Sequence, residues 1–256
     1  LFTFLSGFLL YKISRYFFRS SLNSKIVYII YILHSEILTW SSFLNLKDIL
    51  VQFFFLMLIY GFMELLNKKL SGLFWVLISL FTLNFLRYYL VFFSLAAFVF
   101  FLLIKYLLRK INIEKVLLAH ILLLFCIPLV IFFFKTFSWE IELFLEYVEN
   151  PVIGFIRYIM TPIPFNTESA YSFLDIPALI NWLTLPLVFI GFFFYAGKML
   201  TNRGFPVILF IILWSFFAFF TELQGPRHRL IVIPFMILFM VEGIALYQKS
   251  LRKGYE

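Results

Sequence analysis

Long apolar runs separated by short polar segments dominate the chain, and their length predicts membrane-spanning helices. Most runs are about 20 residues long, which is the length of an α-helix that crosses a bilayer. The predicted spans cover residues 1–11, 25–40, 49–66, 71–86, 89–106, 116–134, 179–198, 205–223 and 230–248. The short alternating segments of a membrane β-barrel do not occur. The pattern therefore predicts an all-α fold, a polytopic transmembrane helical bundle of eight to nine spans.

Composition agrees with an integral membrane protein. The chain is 64% hydrophobic and contains 39 Phe against 10 Gly, whereas soluble domains are about 45–50% apolar. No soluble domain is visible, so we expect residues 1–256 to form a single transmembrane domain, with the lipid bilayer and not nucleic acid as the partner of its +8 net charge. The chain starts with Leu1 in the middle of an apolar run. We therefore expect the domain to be N-terminally truncated.

The basic residues alternate between two sets of connections, which predicts the orientation. By the positive-inside rule, the set with more Lys and Arg is cytoplasmic. That set holds 15 of the 21 basic residues, namely Lys12, Arg15, Arg19, Lys25, Lys68, Lys69, Lys105, Arg109, Lys110, Lys115, Lys198, Arg203, Lys249, Arg252 and Lys253. The other 6 are Lys47, Arg87, Lys135, Arg157, Arg227 and Arg229. The predicted location is the inner (plasma) membrane, multi-pass, with a cytoplasmic C-terminus.

Polar residues that are costly to place near lipid gather on the predicted extracytoplasmic side. Charged side chains in membrane proteins usually face a bundle interior or an aqueous cavity. Their shared depth indicates a polar vestibule at the outer boundary; for any one of them alone, the alternative is a helix end at headgroup level. The residues are His34, Ser35, Glu36, Lys47, Asp48, Asn84, Arg87, Tyr88, Tyr89, Glu222, Arg227, His228 and Arg229.

The segment QGPRHR at 224–229 is the sharpest candidate site. Its Gly-Pro pair is expected to break the preceding helix. Arg227, His228 and Arg229 then lie at the start of the last helix, where backbone N–H groups add positive potential. Two guanidiniums in this position suit a phosphate or pyrophosphate at headgroup level. The alternative is an ion pair with Glu222.

Two further outer residues have both a binding and a structural interpretation. Arg87 lies in the short turn LRYY at 86–89, where its planar fork of donors either binds a phosphate or only snorkels to the interface. His228 is either a proton shuttle near neutral pH or an interfacial hydrogen-bonding residue.

One long connection, residues 135–178, is predicted to be an extracytoplasmic loop. Glu140, Glu142, Glu146 and Glu149 alternate there with apolar residues, as in an amphipathic helix lying on the bilayer surface. Such an element either shapes a cleft for a lipid-linked substrate or is a plain tether. TPIPFN at 161–166 predicts an extended segment after it.

Nucleotide and metal motifs are absent from the sequence. There is no phosphate loop, no GxGxxG, no H-E-x-x-H and no pair of cysteines, Cys126 being alone. His34, His120 and His228 lie far apart, so no metal site is predicted. No cofactor is evident, although carboxylates are compatible with a divalent cation.

Three stretches resemble the C-terminal part of bacterial integral-membrane C-type glycosyltransferases, the dolichyl-phosphate-mannose mannosyltransferase-like group. HSEILTWSSFLNLKDILVQFFFLMLIY is similar to that group's helix, outer loop and helix, and SLFTLNFLRYYLVFFSLAAFVFFLL is similar to its Arg-Tyr hairpin. GPRHRLIVIPFMILFMVEGI resembles its Arg-x-Arg start of a late helix. The resemblance covers most of residues 25–250.

The resemblance implies an enzyme that passes a hexose from a polyprenyl-phosphate-linked sugar to a cell-envelope glycan or lipid acceptor outside the cytoplasm. It implies that Arg227 and Arg229, with His228 beside them and Arg87 as a helper, meet the lipid phosphate. In such enzymes the catalytic carboxylate usually lies in a first outer loop, and we expect this sequence to start after that loop. Glu36 and Asp48 are the outer carboxylates that remain as candidate catalytic residues.

Two other functions are kept as alternatives. An O-antigen-type polysaccharide polymerase or ligase uses the same lipid-linked substrates and also has a large outer loop with arginines. A non-catalytic transporter of lipid-linked glycans would be expected to show an internal repeat and charges at the membrane midplane, and the sequence shows neither.

Overall fold

All regular elements of the described structure are helical, which confirms the predicted all-α class. The computed structural model describes residues 1–18, 20–43, 46–110, 151–165, 169–196, 201, 204–219 and 225–253. Its α-helices are α1 (Phe2–Phe17), α2 (Ser21–Leu33), α3 (Ser35–Phe43), α4 (Leu46–Leu66), α5 (Ser71–Lys110), α6 (Pro151–Met160), α7 (Asp175–Ala196), α8 (Phe205–Phe219), α9 (Pro226–Arg229) and α10 (Ile233–Lys253). A 3-10 helix, Ser169–Leu174, precedes α7.

Three segments of the described helices are long and apolar enough to cross a membrane. They are Lys47–Leu66, Ser71–Tyr106 and Ser172–Ala196, and the helices at Ser21–Leu33 and Phe205–Ala218 are apolar but shorter. The predicted span 116–134 with Cys126, the acidic stretch of the 135–178 loop and Glu222 lie outside the described residues. The count of eight to nine spans stays a prediction.

The helix α5 is a hairpin and not a straight rod. Arg87 interrupts it with non-helical dihedral angles, φ −156° and ψ 81°. On α4, a Cβ added to Gly61 would lie 2.8 Å from Val76, while the neighbouring Phe62 ring stacks on Phe98 with 4.3 Å between centroids. A straight helix would hold Val76 and Phe98 about 33 Å apart. The two halves therefore run back along each other, as the separate predictions 71–86 and 89–106 require.

The predicted span 25–40 is wrong as one helix, because the chain breaks at His34. The helix α2 begins after Ser20, whose hydroxyl accepts a hydrogen bond from Leu22 N, and ends at His34, which has an extended ψ of 118°. Ser35 then starts α3, with Glu36 in its first turn. An acid at a helix N-terminus is stabilised by the helix dipole.

Glycines let α7 and α10 pack closely. A Cβ on Gly191 would lie 1.8 Å from the carbonyl oxygen of Phe239, and one on Gly243 would lie 2.2 Å from that of Leu187. No heavy-atom contact is this short, so only glycine fits at either position. Small residues at such interfaces are common where helices pack within lipid.

Candidate functional site

Four residues meet at the N-terminus of α4, namely Asp48, Arg87, Tyr89 and Arg227. We call these four residues the arginine cluster. Asp48 accepts hydrogen bonds from both guanidiniums: Arg87 Nη2 lies 2.5 Å from its Oδ1 and Arg227 Nε lies 3.0 Å from its Oδ2. Arg87 Nη1 also donates to the Tyr89 hydroxyl at 2.7 Å. One buried carboxylate thus fixes two arginines from different parts of the chain.

Local structure explains why these side chains converge. Asp48 lies in the first turn of α4, Arg87 occupies the break between the halves of α5, and Arg227 follows Gly225–Pro226 at the start of α9. Pro226, directly before Arg227, occupies the first helical position of α9. A backbone N–H at that position would have no partner within the helix, so its absence in proline costs nothing. Each cluster residue is therefore at a helix end or a break, where a long polar side chain reaches the boundary of the bundle.

The two arginines of the cluster differ in their access to solvent. The Arg227 side chain is 42% exposed, against 13% for Arg87 and 3% for Asp48. Within the described residues, only Nε of Arg227 has a partner, which is Asp48. With 42% of its side chain exposed, Arg227 is the guanidinium of the cluster that an anion from outside can reach more easily than Arg87.

Arg229 lies in a separate, enclosed ion pair with Glu36. Arg229 Nη2 is 2.6 Å from Glu36 Oε2, and both side chains are 0% exposed. Asn181 Nδ2 donates to the same carboxylate oxygen at 2.5 Å, and Arg229 Nη1 donates to the carbonyl oxygen of Ile159 at 3.2 Å. This buried pair joins α3, α6, α7 and α9, and its donors are directed at protein groups.

His228 lies between the two arginines and beside the arginine cluster. Burial, reinforced by the positive charge of Arg87, lowers the pKa of His228 from 6.5 to about 4. The imidazole is therefore neutral at pH 7. Its buried Nδ1 has no hydrogen-bond partner among the described residues, and its backbone carbonyl accepts from the Tyr158 hydroxyl at 3.0 Å.

The structure thus brings together most of the residues predicted for the vestibule and separates a few. Arg87, Asp48, Arg227 and His228 share the arginine cluster or its edge, whereas Glu36 and Arg229 form the buried pair beneath it. Lys47 is exposed at the start of α4, and Asn84 and Tyr88 are exposed on α5. The described residues contain no group of three or more His, Cys, Asp or Glu that would hold a metal ion.

Sequence reasoning missed two polar residues that complete the site. Asn181 holds Glu36, and Gln52 links Tyr31 to the carbonyl oxygen of Leu230 at 2.8 Å on each side. Both are single polar residues inside apolar runs, INWL and VQFF. Such residues are expensive in a membrane helix unless they have partners, and that cost is the signal that marks them.

Comparisons with protein-family models, with curated proteins and with solved structures find no match to this chain. The residues of the site and the resemblance described above are therefore the basis of the function proposed below.

Proposed function

We propose that this chain is part of a membrane glycosyltransferase that passes a hexose from a polyprenyl-phosphate donor to a cell-envelope glycan or lipid acceptor on the extracytoplasmic side. The observation that carries the proposal is the arginine cluster, in which Asp48 holds Arg87 and leaves the terminal donors of Arg227 exposed. Among the described residues, three guanidiniums, those of Arg87, Arg227 and Arg229, meet two carboxylates, those of Asp48 and Glu36, which leaves one excess positive charge among these five groups.

The chemistry of the reaction gives that charge a role. An acceptor hydroxyl attacks the anomeric carbon and gives its proton to the catalytic carboxylate that the resemblance implies in a first outer loop, while the bond from that carbon to the phosphate oxygen breaks and the carrier phosphate leaves with the electron pair. Guanidiniums already fixed at the leaving oxygen stabilise the negative charge as it develops. Arg227, whose two terminal amino groups have no hydrogen-bond partner among the described residues, is suited to bidentate contact with a phosphate.

The carboxylates take different places in this proposal. Glu36 is fully enclosed by Arg229 and Asn181, so we assign it to the scaffold and not to the reaction. Asp48 also has both carboxylate oxygens bonded to guanidiniums, Oδ1 to Arg87 and Oδ2 to Arg227. We therefore assign Asp48 as a positioning residue that sets the angle of both guanidiniums.

The proposed placement in the membrane has eight to nine spans, the arginine cluster outside and the C-terminus in the cytoplasm. It is supported by α4, whose 21 residues make a rod of about 31 Å, close to the ~30 Å hydrocarbon core. Asp48 lies at one end of this rod, and Lys68 and Lys69 follow its other end. The two sets of charges that the positive-inside rule assigns to opposite faces are thus separated by one membrane thickness.

The test compares Arg227→Ala and Arg87→Ala with Lys47→Ala, an exposed cation next to Asp48 in the chain. Binding of a polyprenyl phosphate to purified protein is measured by intrinsic fluorescence, and sugar transfer is measured in membranes supplied with labelled polyprenyl-phosphate sugars. Losing a charge-assisted hydrogen bond of about 1.5–3 kcal/mol should weaken binding roughly 10- to 150-fold. Lys47→Ala should bind like the wild type.

Two outcomes would contradict the proposal. Wild-type affinity in both arginine variants, with normal membrane insertion, would remove the phosphate site. Binding that depends on Arg227 without any transfer of sugar, for every donor tried, would remove the enzyme and favour a carrier of lipid-linked glycans.

A further inference from the structure

A second site lies on the opposite side of the buried pair, in a groove between α2, α7 and α10. The groove has a volume of about 270 Å³ and is open along one side. Its rim is formed by Ile29, Leu33 and Ile180, apolar residues with much of their surface exposed. Because exposed apolar side chains of this kind face lipid in a membrane protein, an occupant would enter the groove from the bilayer.

The dimensions of the groove fit one hydrocarbon chain. The groove is long and narrow, with one helix on each side, which is the shape that an extended hydrocarbon chain fills. The lining runs from Ile180 to Val188 along α7, a length of about 12 Å. Met236 and Met240 form part of the wall, and their flexible side chains adapt to the shape of a chain.

One end of the groove is polar and has hydrogen-bonding capacity to spare. His34, Ser35, Asn181 and Thr184 line this end. The buried Nδ1 of His34 and Oγ of Ser35 have no hydrogen-bond partner among the described residues. Buried polar atoms without partners are unfavourable, so a ligand that brings oxygens to this end would relieve that cost.

The polar end of the groove determines which chemical group can be attached to the hydrocarbon chain that binds there. Asn181, which lines this end of the groove, is connected to the guanidinium of Arg229 through Glu36. That guanidinium is 0% exposed and donates to Glu36 and to the carbonyl oxygen of Ile159. A phosphate at the groove would therefore meet neutral groups, whereas an ester carbonyl can accept hydrogen bonds from Ser35 Oγ and from His34 Nδ1 in the neutral tautomer that carries its proton there. Since lipid tails lose little by staying in the bilayer, the head decides which lipid is held.

We propose that the groove binds one acyl chain of a glycerolipid, with its ester oxygens at His34 and Ser35. This site is separate from the arginine cluster and does not depend on the proposed glycosyl transfer. The ester end of the bound lipid, which is uncharged, would then be separated from the buried pair by the side chain of Asn181 alone.

Photo-cross-linking of the wild-type protein in vesicles tests the proposal. The vesicles contain phosphatidylethanolamine and phosphatidylglycerol with a trace of phosphatidylethanolamine that carries a diazirine on its acyl chain, and labelled peptides are identified by mass spectrometry. We expect residues 29–33, 180–188 and 236–240 to be labelled about tenfold more than the lipid-exposed stretch 73–85 of α5. Equal labelling around the bundle would overturn the proposal, as would labelling of the groove only by a diazirine-bearing polyprenyl phosphate.

A matched pair of variants locates the chain. Thr184→Phe adds a ring inside the groove and should reduce its labelling about tenfold. Leu183→Phe puts the same ring one residue away, at a position 72% exposed and outside the groove, and should leave labelling unchanged. Binding of polyprenyl phosphate at the arginine cluster should survive in both variants, so failure here would leave the proposed function standing. Undiminished labelling in Thr184→Phe would contradict the site.

Discussion

At the residue scale, Arg227 and Arg229 show how two neighbours with the same charge reach different environments. Successive residues in an α-helix turn by about 100°, so residues two apart point to opposite sides. In α9, Arg227 reaches the exposed arginine cluster while Arg229 reaches the buried Glu36. The sequence predicted both as phosphate ligands. The two differ in access, because the Arg227 side chain is 42% exposed whereas the Arg229 side chain is 0% exposed and bonded to Glu36; phosphate binding stays a prediction for both.

The first prediction concerns the buried pair. Removing one charge leaves the other without compensation in a site closed to water, which costs about 3–5 kcal/mol. Glu36→Gln and Arg229→Met should each lower the free energy of unfolding by that amount, measured by SDS titration in mixed micelles. The double variant should lose less than the sum of the two single variants.

Lys69→Met is the control for this measurement. Lys69 also pairs with a buried carboxylate, Glu64, but its own side chain is 57% exposed. Glu64 keeps hydrogen bonds from the hydroxyls of Tyr16 and Ser71 when Lys69 is removed, so this variant should lose much less than about 3–5 kcal/mol. Equal losses in Arg229→Met and Lys69→Met would contradict the special role of the buried pair.

The second prediction follows from the lowered pKa of His228. The unfolded chain takes up a proton near pH 6.5, whereas the folded protein, in which burial and Arg87 disfavour the cation, takes it up only near pH 4. The free energy of unfolding should therefore be constant above pH 6.5 and fall as the pH drops from 6.5 towards 4. His228→Gln should flatten this part of the pH profile, and a profile identical to the wild type would exclude His228 as the cause.

At the element scale, close approach between helices depends on glycines more than on apolar side chains. The carbonyl of Phe239 occupies the space of a Gly191 side chain, and the carbonyl of Leu187 occupies that of Gly243. Backbone atoms cannot move aside as a flexible side chain does. The pair α7 and α10 therefore has one tight register, and this register places Asn181 near the buried pair.

The third prediction tests this packing. Gly191→Ala and Gly243→Ala should each force α7 and α10 apart and lower the thermal midpoint of the purified protein, with a loss of about 1–3 kcal/mol that is typical of overpacking. Gly225→Ala is the control, because nothing lies within 4 Å of its added Cβ. A loss in Gly225→Ala as large as in Gly243→Ala would show that the effect is not steric.

Most of the long helices could be predicted from the sequence. The breaks at Arg87 and His34 show where such a prediction succeeds and where it fails. The turn at Arg87 was predicted because a charged residue separates two apolar runs of membrane length. The polar stretch HSEILTWSS interrupts the predicted span 25–40, but the prediction kept one helix there, whereas the structure ends α2 at His34 and pairs Glu36 of α3 with Arg229. That partner lies 193 positions away, beyond any local pattern.

At the scale of the whole molecule, the arginine cluster and Lys68 with Lys69 lie at opposite ends of α4. This separation makes the orientation measurable with single cysteines after Cys126 is replaced by Ser. In sealed cells, a membrane-impermeant maleimide should label Lys47→Cys from outside and should label Lys68→Cys only after the membrane is opened. Both positions are exposed in the structure. The reverse pattern would invert the bundle and place the arginine cluster in the cytoplasm.

The location of the site was largely predictable, whereas its internal division was not. Asp48, Arg87 and Arg227 could be identified from the sequence because it costs free energy to place an ionised side chain in lipid. Such side chains therefore gather where water or a partner offsets that cost. The enclosure of Glu36 and Arg229 depends on how α3, α6 and α7 surround them. No single stretch of sequence holds that information.

The buried pair also has a consequence for biosynthesis. Glu36 leaves the ribosome 193 residues before Arg229, which at about 5–20 residues per second is a delay of roughly 10 to 40 s. During that interval a carboxylate destined for a water-free site has no countercharge of its own. We expect the nascent α3 to wait at the lipid surface or against the insertion machinery, and to enter its final position only when the last helices have been made.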